Sequence, residues 1–188
     1  QAWMKDLLVE ANVPTAKHGT FTNEDDAIAF LSDMPRPYVI KTDGLAAGKG
    51  VIVTESVNEA KDAIKNYLSG DAFGDAGKTV VIEEGLIGNE ISILAICDGT
   101  KAVPLAPAQD YKRFLNNDEG PNTGGMGAYS PIPSVSEDFV TQIMEEAVQP
   151  TLQTLITRGI DYRGVLYAGI MNTCLLYTSP SPRDDCPS

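Results

Sequence analysis

Apolar residues in this chain recur at two spacings, and the change from one to the other lays out its elements. Val39-Ile40, Val51-Ile52-Val53 and Val80-Val81-Ile82 are short β-branched runs bounded by polar residues, and they predict strands over 38–41, 51–54 and 78–83. Val57, Ala60, Ile64, Tyr67 and Leu68 return every three or four positions instead, the period of one helix face. Ser56 and Glu59 have the spacing of a capping box, and Gly70 closes that helix. Upstream, Trp3, Leu7 and Ala11, flanked by Met4 and Leu8, predict a helix over 1–11 that stops at Asn12-Val13-Pro14. Thr22-Asn23-Glu24-Asp25 supplies an N-cap and first-turn acids to a short helix bearing Ala27, Ile28, Phe30 and Leu31.

The second half reads differently. Two apolar runs, 90–98 and 101–106, flank Asp98-Gly99, a hairpin signal. A glycine-rich polar stretch over 109–130 shows neither period and reads as a loop. Ser136 then caps a long helix whose buried side holds Phe139, Ile143, Ala147, Leu152, Leu155 and Ile156, with a kink expected at Pro150. Gly164 to Met171 reads as a final, fully buried strand. The expectation is an α+β protein in two units, 1–86 and 87–173. From Cys174 the chain is rich in Ser and Pro with no periodicity. This peptide resembles the translation of a transposon-end sequencing adapter, so 174–188 is read as a non-native tail.

Candidate chemistry begins between the strands at 38–41 and 51–54. Lys41 would project from the end of a strand as a fixed charge. Gly44, Gly48 and Gly50 let the backbone turn and aim bare N–H groups at an anion, and Lys49 adds a second charge. A Walker loop is excluded, because only three residues separate Gly44 from Gly48, Gly50 stands where a hydroxyl belongs, and a β-branched run follows in place of a helix. The plain alternative is a glycine turn with no ligand.

Two further groups of residues stand out. Glu83 and Glu90 lie at and beyond a strand end, where carboxylates can accept from an adenine amino group or ribose hydroxyls and the backbone near Leu86 can pair with a base edge. The alternative for these acids is a solvated turn. Asp110, Lys112 and Arg113 include adjacent cations suited to a phosphate. Asn122, Thr123, Gly124, Gly125 and Met126 lie in a glycine-rich segment that permits close backbone approach, and an ordered Ω-loop without a ligand is the competing reading.

Composition narrows the classes. With 188 residues, 43% hydrophobic, and a formal net charge of −12, the chain can build real cores but opposes sequence-independent binding to nucleic acid. A bound nucleotide must be met by local cations or by a metal. Cys97, Cys174 and Cys186 form no CxxC pair, and His18 is the single histidine; a disulfide framework, a zinc site and a histidine relay are all set aside. No long apolar run and no leader pattern is present, so no membrane partner is expected and the cytoplasm is the expected compartment.

Taken together, the segment from Lys41 to Val51, Ala72-Phe-Gly-Asp-Ala-Gly77, Val81-Ile-Glu-Glu84, Gln109-Asp110 with Lys112-Arg113, and Pro121-Asn-Thr-Gly-Gly-Met-Gly-Ala-Tyr-Ser-Pro131 resemble the phosphoribosylamine–glycine ligases of the ATP-grasp superfamily. The similarity runs over 1–173. It implies an ATP-grasp fold, in which two α+β lobes clamp ATP, present as an incomplete fragment: 1–86 as the lid subdomain with an entry helix, 87–173 as part of the core subdomain.

By this resemblance Lys41 and the loop with Gly44, Gly48, Lys49 and Gly50 would cover the ATP phosphates. Glu83 and the backbone around Leu86 would hold adenine, and Glu90 the ribose hydroxyls. Asp110, Lys112, Arg113 and the run Asn122, Thr123, Gly124, Gly125 and Met126 would meet glycine or 5-phosphoribosylamine. Lys41 and Arg113 are the expected catalytic groups, and the cofactors are ATP with Mg²⁺ or Mn²⁺. Two departures accompany it. Gln1 stands where the family carries a further ATP-contacting lysine, and Gly85 where it carries a bulky residue. The family's metal-binding Glu and Asn fall on a strand after the one ending near Met171, so no metal ligand is assigned to this chain, which is expected to be inactive by itself. Another ATP-grasp carboxylate–amine ligase, an inert nucleotide-binding module and a non-enzymatic scaffold are the competing functional readings.

Overall fold

The structure, a computed structural model, describes residues 2–43, 50–70, 77–116 and 119–173. Two compact units divide them: residues up to Asp6 with Thr15–Leu86, and Leu7–Pro14 with residues from Ile87 onward. The first helix, α1 (Ala2–Glu10), contributes to both. Of its apolar residues Leu7 is buried, whereas Trp3 and Met4 are about half exposed.

The first unit contains β1 (His18–Phe21), α2 (Glu24–Ser32), β2 (Tyr38–Thr42), β3 (Val51–Thr54), α3 (Val57–Leu68) and β4 (Val80–Glu84). Its four strands form an antiparallel sheet in the order β1-β4-β2-β3. Register assigns the two faces. Ile40 pairs with Ile82 and Thr42 with Val80; these apolar residues join Tyr38, Ala27, Leu31, Ala60, Ile64 and Tyr67 in the core beneath α2 and α3. The alternate residues, Val39, Lys41, Val81 and Glu83, share the opposite face.

Local chemistry fixes the helix starts. Asn23 accepts from the Asp26 N–H and Ser56 from the Glu59 N–H. The capping box at α3 is only half present: the Glu59 carboxylate accepts from the Thr54 hydroxyl, and Thr54 Oγ1 in turn accepts from the Ser56 N–H at 3.0 Å. Thr54 therefore relays the arm that Glu59 would otherwise make directly.

The second unit contains β5 (Asn89–Asp98), β6 (Ala102–Pro104), β7 (Gln109–Leu115), β8 (Glu119–Tyr129), α4 (Glu137–Ile143), a π-helical turn (Met144–Val148), α5 (Gln149–Thr157) and β9 (Arg163–Asn172). Strands β6, β5 and β9 pair antiparallel in that order. Ile91, Ile93 and Ala95 pair with Ile170, Ala168 and Leu166, and this face packs with Ile132, Ile143, Val148 and Phe139.

Two expectations are corrected. The stretch 109–130 is not a loop over its length: β7 and β8 make a two-stranded antiparallel hairpin, with register shifts between Tyr111 and Leu115. Tyr111, Phe114, Leu115, Met126 and Tyr129 are exposed, so neither face imposes the apolar alternation by which a half-buried strand is read. Strand β9 is not fully buried, since Val165 and Tyr167, on the face away from the helices, are 51% and 56% exposed. At Pro150, where a kink is expected, the α-helix is interrupted by the π-helical turn just before it, and the Gln149 N–H reaches back to the Met144 carbonyl; the wider turn accommodates a ring that would crowd the carbonyl four residues earlier. Strand β1, four residues long, was not anticipated.

Among the described residues no helix is long and apolar enough to cross a membrane. The tail 174–188, with Cys174 and Cys186, lies outside the described residues.

Candidate functional site

In the first unit, antiparallel pairing sets Lys41 opposite Val81 and Glu83 opposite Val39. Lys41 and Glu83 are thus diagonal neighbours on the face away from α2 and α3, a separation that a long side chain bridges. Lys41 Nζ donates to Glu83 Oε1 at 3.0 Å. The other carboxylate oxygen, Oε2, lies 3.1 Å from Nζ of Lys5 on α1. Lys5 also donates to Thr15 Oγ1 at 2.8 Å.

Glu83 is the most enclosed of the three, its side chain 6% exposed against 15% for Lys5 and 22% for Lys41. Burial pushes its carboxyl toward neutrality, but the Lys41 and Lys5 ammoniums together outweigh that and hold its pKa below the ordinary carboxylate value. For Lys5 burial dominates, and its pKa lies below that of a free lysine despite Glu83. One buried carboxylate between two ammoniums leaves these three side chains with a single net positive charge, and Lys41 is the most exposed of them.

The strands β2 and β3 that carry Lys41 continue into the glycine-rich connection. Its last residue, Gly50, is buried and its carbonyl accepts from the Thr42 N–H at 2.9 Å; Gly44, Gly48 and Lys49 lie outside the described residues. Leu86 follows β4 and is partly buried. Just before it, the Gly85 N–H donates to the Pro37 carbonyl at 2.6 Å. A Cβ at Gly85 would fall 2.5 Å from Pro37 Cγ and 2.8 Å from Pro37 O, so the chain has no room at this point for the bulk the resemblance leads one to expect.

In the second unit, Lys112 on β7 donates to Glu90 Oε1 on β5 at 2.5 Å and lies 3.5 Å from Asp110 Oδ2. Burial would lower the Lys112 pKa, yet the hydrogen bond and charge of Glu90, with Asp110 behind them, raise it above the ordinary lysine value. Lys112 is accordingly a compensated cation, flanked by two carboxylates. Thr123 on β8 fastens the hairpin by donating to the Lys112 carbonyl at 2.8 Å, and its hydroxyl accepts from the Gly125 N–H at 3.1 Å. Gly125 has φ +131° and nothing within 4 Å of a Cβ position, so it presents open backbone. Met126 beside it is exposed. The backbones of Arg113 and Asn122 are paired, and Gly124 lies on the same strand as Asn122.

The structure therefore brings Lys41 together with Glu83 in one unit and Glu90 with Asp110, Lys112 and Thr123 in the other. Lys5 was missed by sequence reasoning. It occupies an ordinary polar position on a helix, and only the fold brings it to Glu83. Among the described residues no group of three or more His, Cys, Asp and Glu side chains is placed to hold a metal ion.

Residues 1–176 match the family model described as phosphoribosylglycinamide synthetase, ATP-grasp (A) domain. The chain is 50% identical over 171 residues to a phosphoribosylamine–glycine ligase of Xanthomonas campestris pv. campestris, covering 91% of this chain and 40% of that protein. A ligase of the same name from Vibrio parahaemolyticus is 49% identical over the same shares. Among solved structures, the phosphoribosylamine–glycine ligase of Thermotoga maritima superposes with a TM-score of 0.84 at 34% identity, covering 92% of this chain and 44% of that one. The chain spans about 40% of the length of the curated relatives it matches.

Proposed function

The chain belongs to the phosphoribosylglycinamide synthetase ATP-grasp (A) domain family, and from that premise we propose that it is the nucleotide-binding part of a ligase that joins glycine to 5-phosphoribosylamine at the expense of ATP. In that reaction the glycine carboxylate attacks the γ-phosphorus of ATP and ADP leaves. The amine of phosphoribosylamine then attacks the carbonyl carbon of the resulting glycyl phosphate, phosphate departs, and an amide remains. The product is glycinamide ribonucleotide, an early intermediate of purine synthesis. Its phosphorylated substrates do not cross membranes unaided, which supports a cytoplasmic setting. Turnover is proposed for the whole ligase, and nucleotide binding for this chain.

One observation carries the reading: Lys41 stands at the end of β2 with its ammonium held by buried Glu83 and still partly exposed, where the strand gives way to the glycine-rich connection. A cation so oriented can meet a phosphate without first losing its own side-chain freedom. Charge developing on the transferred phosphoryl group is stabilised by fixed donors of this kind, and no nucleophilic side chain is required. Arg113 is proposed as a further cation for charge stabilisation.

Glu83 and the backbone at Leu86 are assigned to adenine, and Glu90 to the ribose hydroxyls. Asp110, Lys112, Thr123 and Gly125, with Asn122, Gly124 and Met126, are assigned to glycine or the phosphoribosyl substrate. The divalent ion, Mg²⁺ or Mn²⁺, supplies charge neutralisation between phosphates when bound. Among the described residues no group of three or more His, Cys, Asp and Glu side chains is placed to hold it; the contribution proposed for this chain is that of its cations and backbone N–H groups. The subdomain assignment, 1–86 as lid and 87–173 as part of the core, belongs to the same proposal.

Calorimetric titration with Mg·ADP tests this. Binding is expected for the chain and a loss of about tenfold or more in Lys41→Ala, the scale of a charge-assisted contact to phosphate. An unchanged titration in that variant overturns the role given to Lys41.

A further inference from the structure

Lys5 has no role in the chemistry assigned above, yet its ammonium is held by two partners. Its ammonium donates to Thr15 Oγ1 and lies 3.1 Å from Glu83 Oε2, and its side chain is 15% exposed. Burying a lysine costs free energy unless a partner compensates, and the partner it has is the carboxylate that already holds Lys41. Charge counting gives the reason for two ammoniums on one carboxylate. A Glu83–Lys41 pair standing alone would be neutral, and an incoming phosphate would have to compete with Glu83 for Lys41. With Lys5 on the second oxygen, Glu83 is satisfied from behind and the cluster keeps one net positive charge.

We propose that Lys5 is a positioning residue that balances Glu83 so that the charge of Lys41 remains available to a nucleotide polyphosphate. This rests on the phosphate-binding reading of Lys41. Lys5 itself touches no phosphate. It acts through Glu83, which orients Lys41 along the sheet face while Lys5 offsets the negative charge that this orientation introduces.

The test is titration of the chain with Mg·ADP and, as a phosphate-free comparator, adenosine. In Lys5→Met the affinity for Mg·ADP is expected to fall about tenfold, the effect of one unit of charge on a phosphate through a partly hydrated cluster, while adenosine binding is unchanged. Lys5→Arg keeps the charge and is expected to retain binding. The deciding comparison is Lys5→Met against Lys5→Arg, because only the second keeps a positive charge on the Oε2 side of Glu83.

A loss of Mg·ADP binding in Lys5→Arg equal to that in Lys5→Met would overturn the inference, because the charge beside Glu83 is kept in the first and removed in the second. So would a Lys5→Met chain that binds Mg·ADP normally while Lys41→Ala does not. If Lys41→Ala also binds normally, the phosphate-binding reading itself falls, and this inference with it.

Discussion

Glu90 and Lys112 are joined by an ion pair that links β5 to the β7–β8 hairpin, Oε1 to Nζ at 2.5 Å. Both side chains are more than a third exposed, 38% and 37%, so water screens the pair and it adds little to stability. Its consequence is orientation, because each group fixes the direction of the other. With Glu90 assigned to ribose hydroxyls, Glu90→Gln is expected to weaken Mg·ADP binding about three- to tenfold, the difference between a charged and a neutral acceptor in one hydrogen bond, and to leave folding stability within ~0.5 kcal/mol. The 2′,3′-dideoxy analogue of ADP has no hydroxyls to lose and should bind parent and variant alike; equal losses for both nucleotides would take the ribose away from Glu90.

The β5–β6 turn carries a pH dependence of its own. Asp98 Oδ1 accepts from the Thr100 N–H, the Lys101 N–H and the Thr100 hydroxyl at 2.7–2.9 Å. The backbone N–H groups of Lys101 and Thr100, followed by the Thr100 hydroxyl, pull the Asp98 pKa from 3.8 down to about 2. A carboxyl more acidic in the folded than in the unfolded state stabilises fully above the unfolded value, and that stabilisation is lost as pH falls through the folded one. Urea unfolding of the parent and of Asp98→Asn should therefore differ most near neutral pH and converge between 3.8 and about 2. A difference that persisted unchanged at the acid end would place the cause elsewhere than in the charge of Asp98.

Much of this fold is legible in the sequence because burial is one-sided where it occurs. Tyr38, Ile40, Val80 and Ile82 face two helices, and α3 carries its apolar residues on a single stripe, so spacing alone marks both. The hairpin β7–β8 escaped for the opposite reason. It is held by backbone pairing and by Thr123, while Tyr111, Met126 and Tyr129 lie exposed, and no face is selected for apolarity. The site divides along the same line. Lys41 and Glu83 are marked by strand ends and nearby glycines, whereas Lys5 meets Glu83 only through tertiary structure, from a distance in sequence that no local pattern spans.

The start of α3 tests the relayed cap. Ser56 Oγ accepts from the Glu59 N–H at 3.3 Å, and Thr54 Oγ1 accepts from the Ser56 N–H at 3.0 Å while donating to Glu59. Ser56→Ala is expected to cost about 1 kcal/mol, the usual loss for an N-cap hydroxyl. Thr54→Val keeps the shape of a buried side chain but leaves the part-buried Ser56 N–H without its acceptor, and should cost about 1–3 kcal/mol. Denaturant titration of both checks the order; if Thr54→Val were the milder change, the hydroxyl relay would not be what holds the first turn.

Gly85 makes the closest backbone approach in the segment between Glu83 and Leu86, with its N–H on the Pro37 carbonyl at 2.6 Å. A methyl group there would meet Pro37 Cγ at 2.5 Å and Pro37 O at 2.8 Å, both inside the range real side chains tolerate. The ring carbon can give, but the carbonyl oxygen belongs to the backbone at the entry to β2 and is already bonded. Gly85→Ala should therefore destabilise the first unit by about 1–3 kcal/mol through overpacking. Removing the ring relieves one of the two contacts, so Pro37→Ala with Gly85→Ala is expected to cost less than the sum of the single changes by ~0.5 kcal/mol or more, the size of coupling between residues in contact. Strictly additive losses in denaturant titrations would mean that the strain does not pass through Pro37, and that a side chain at 85 is accommodated by moving the β4 end instead.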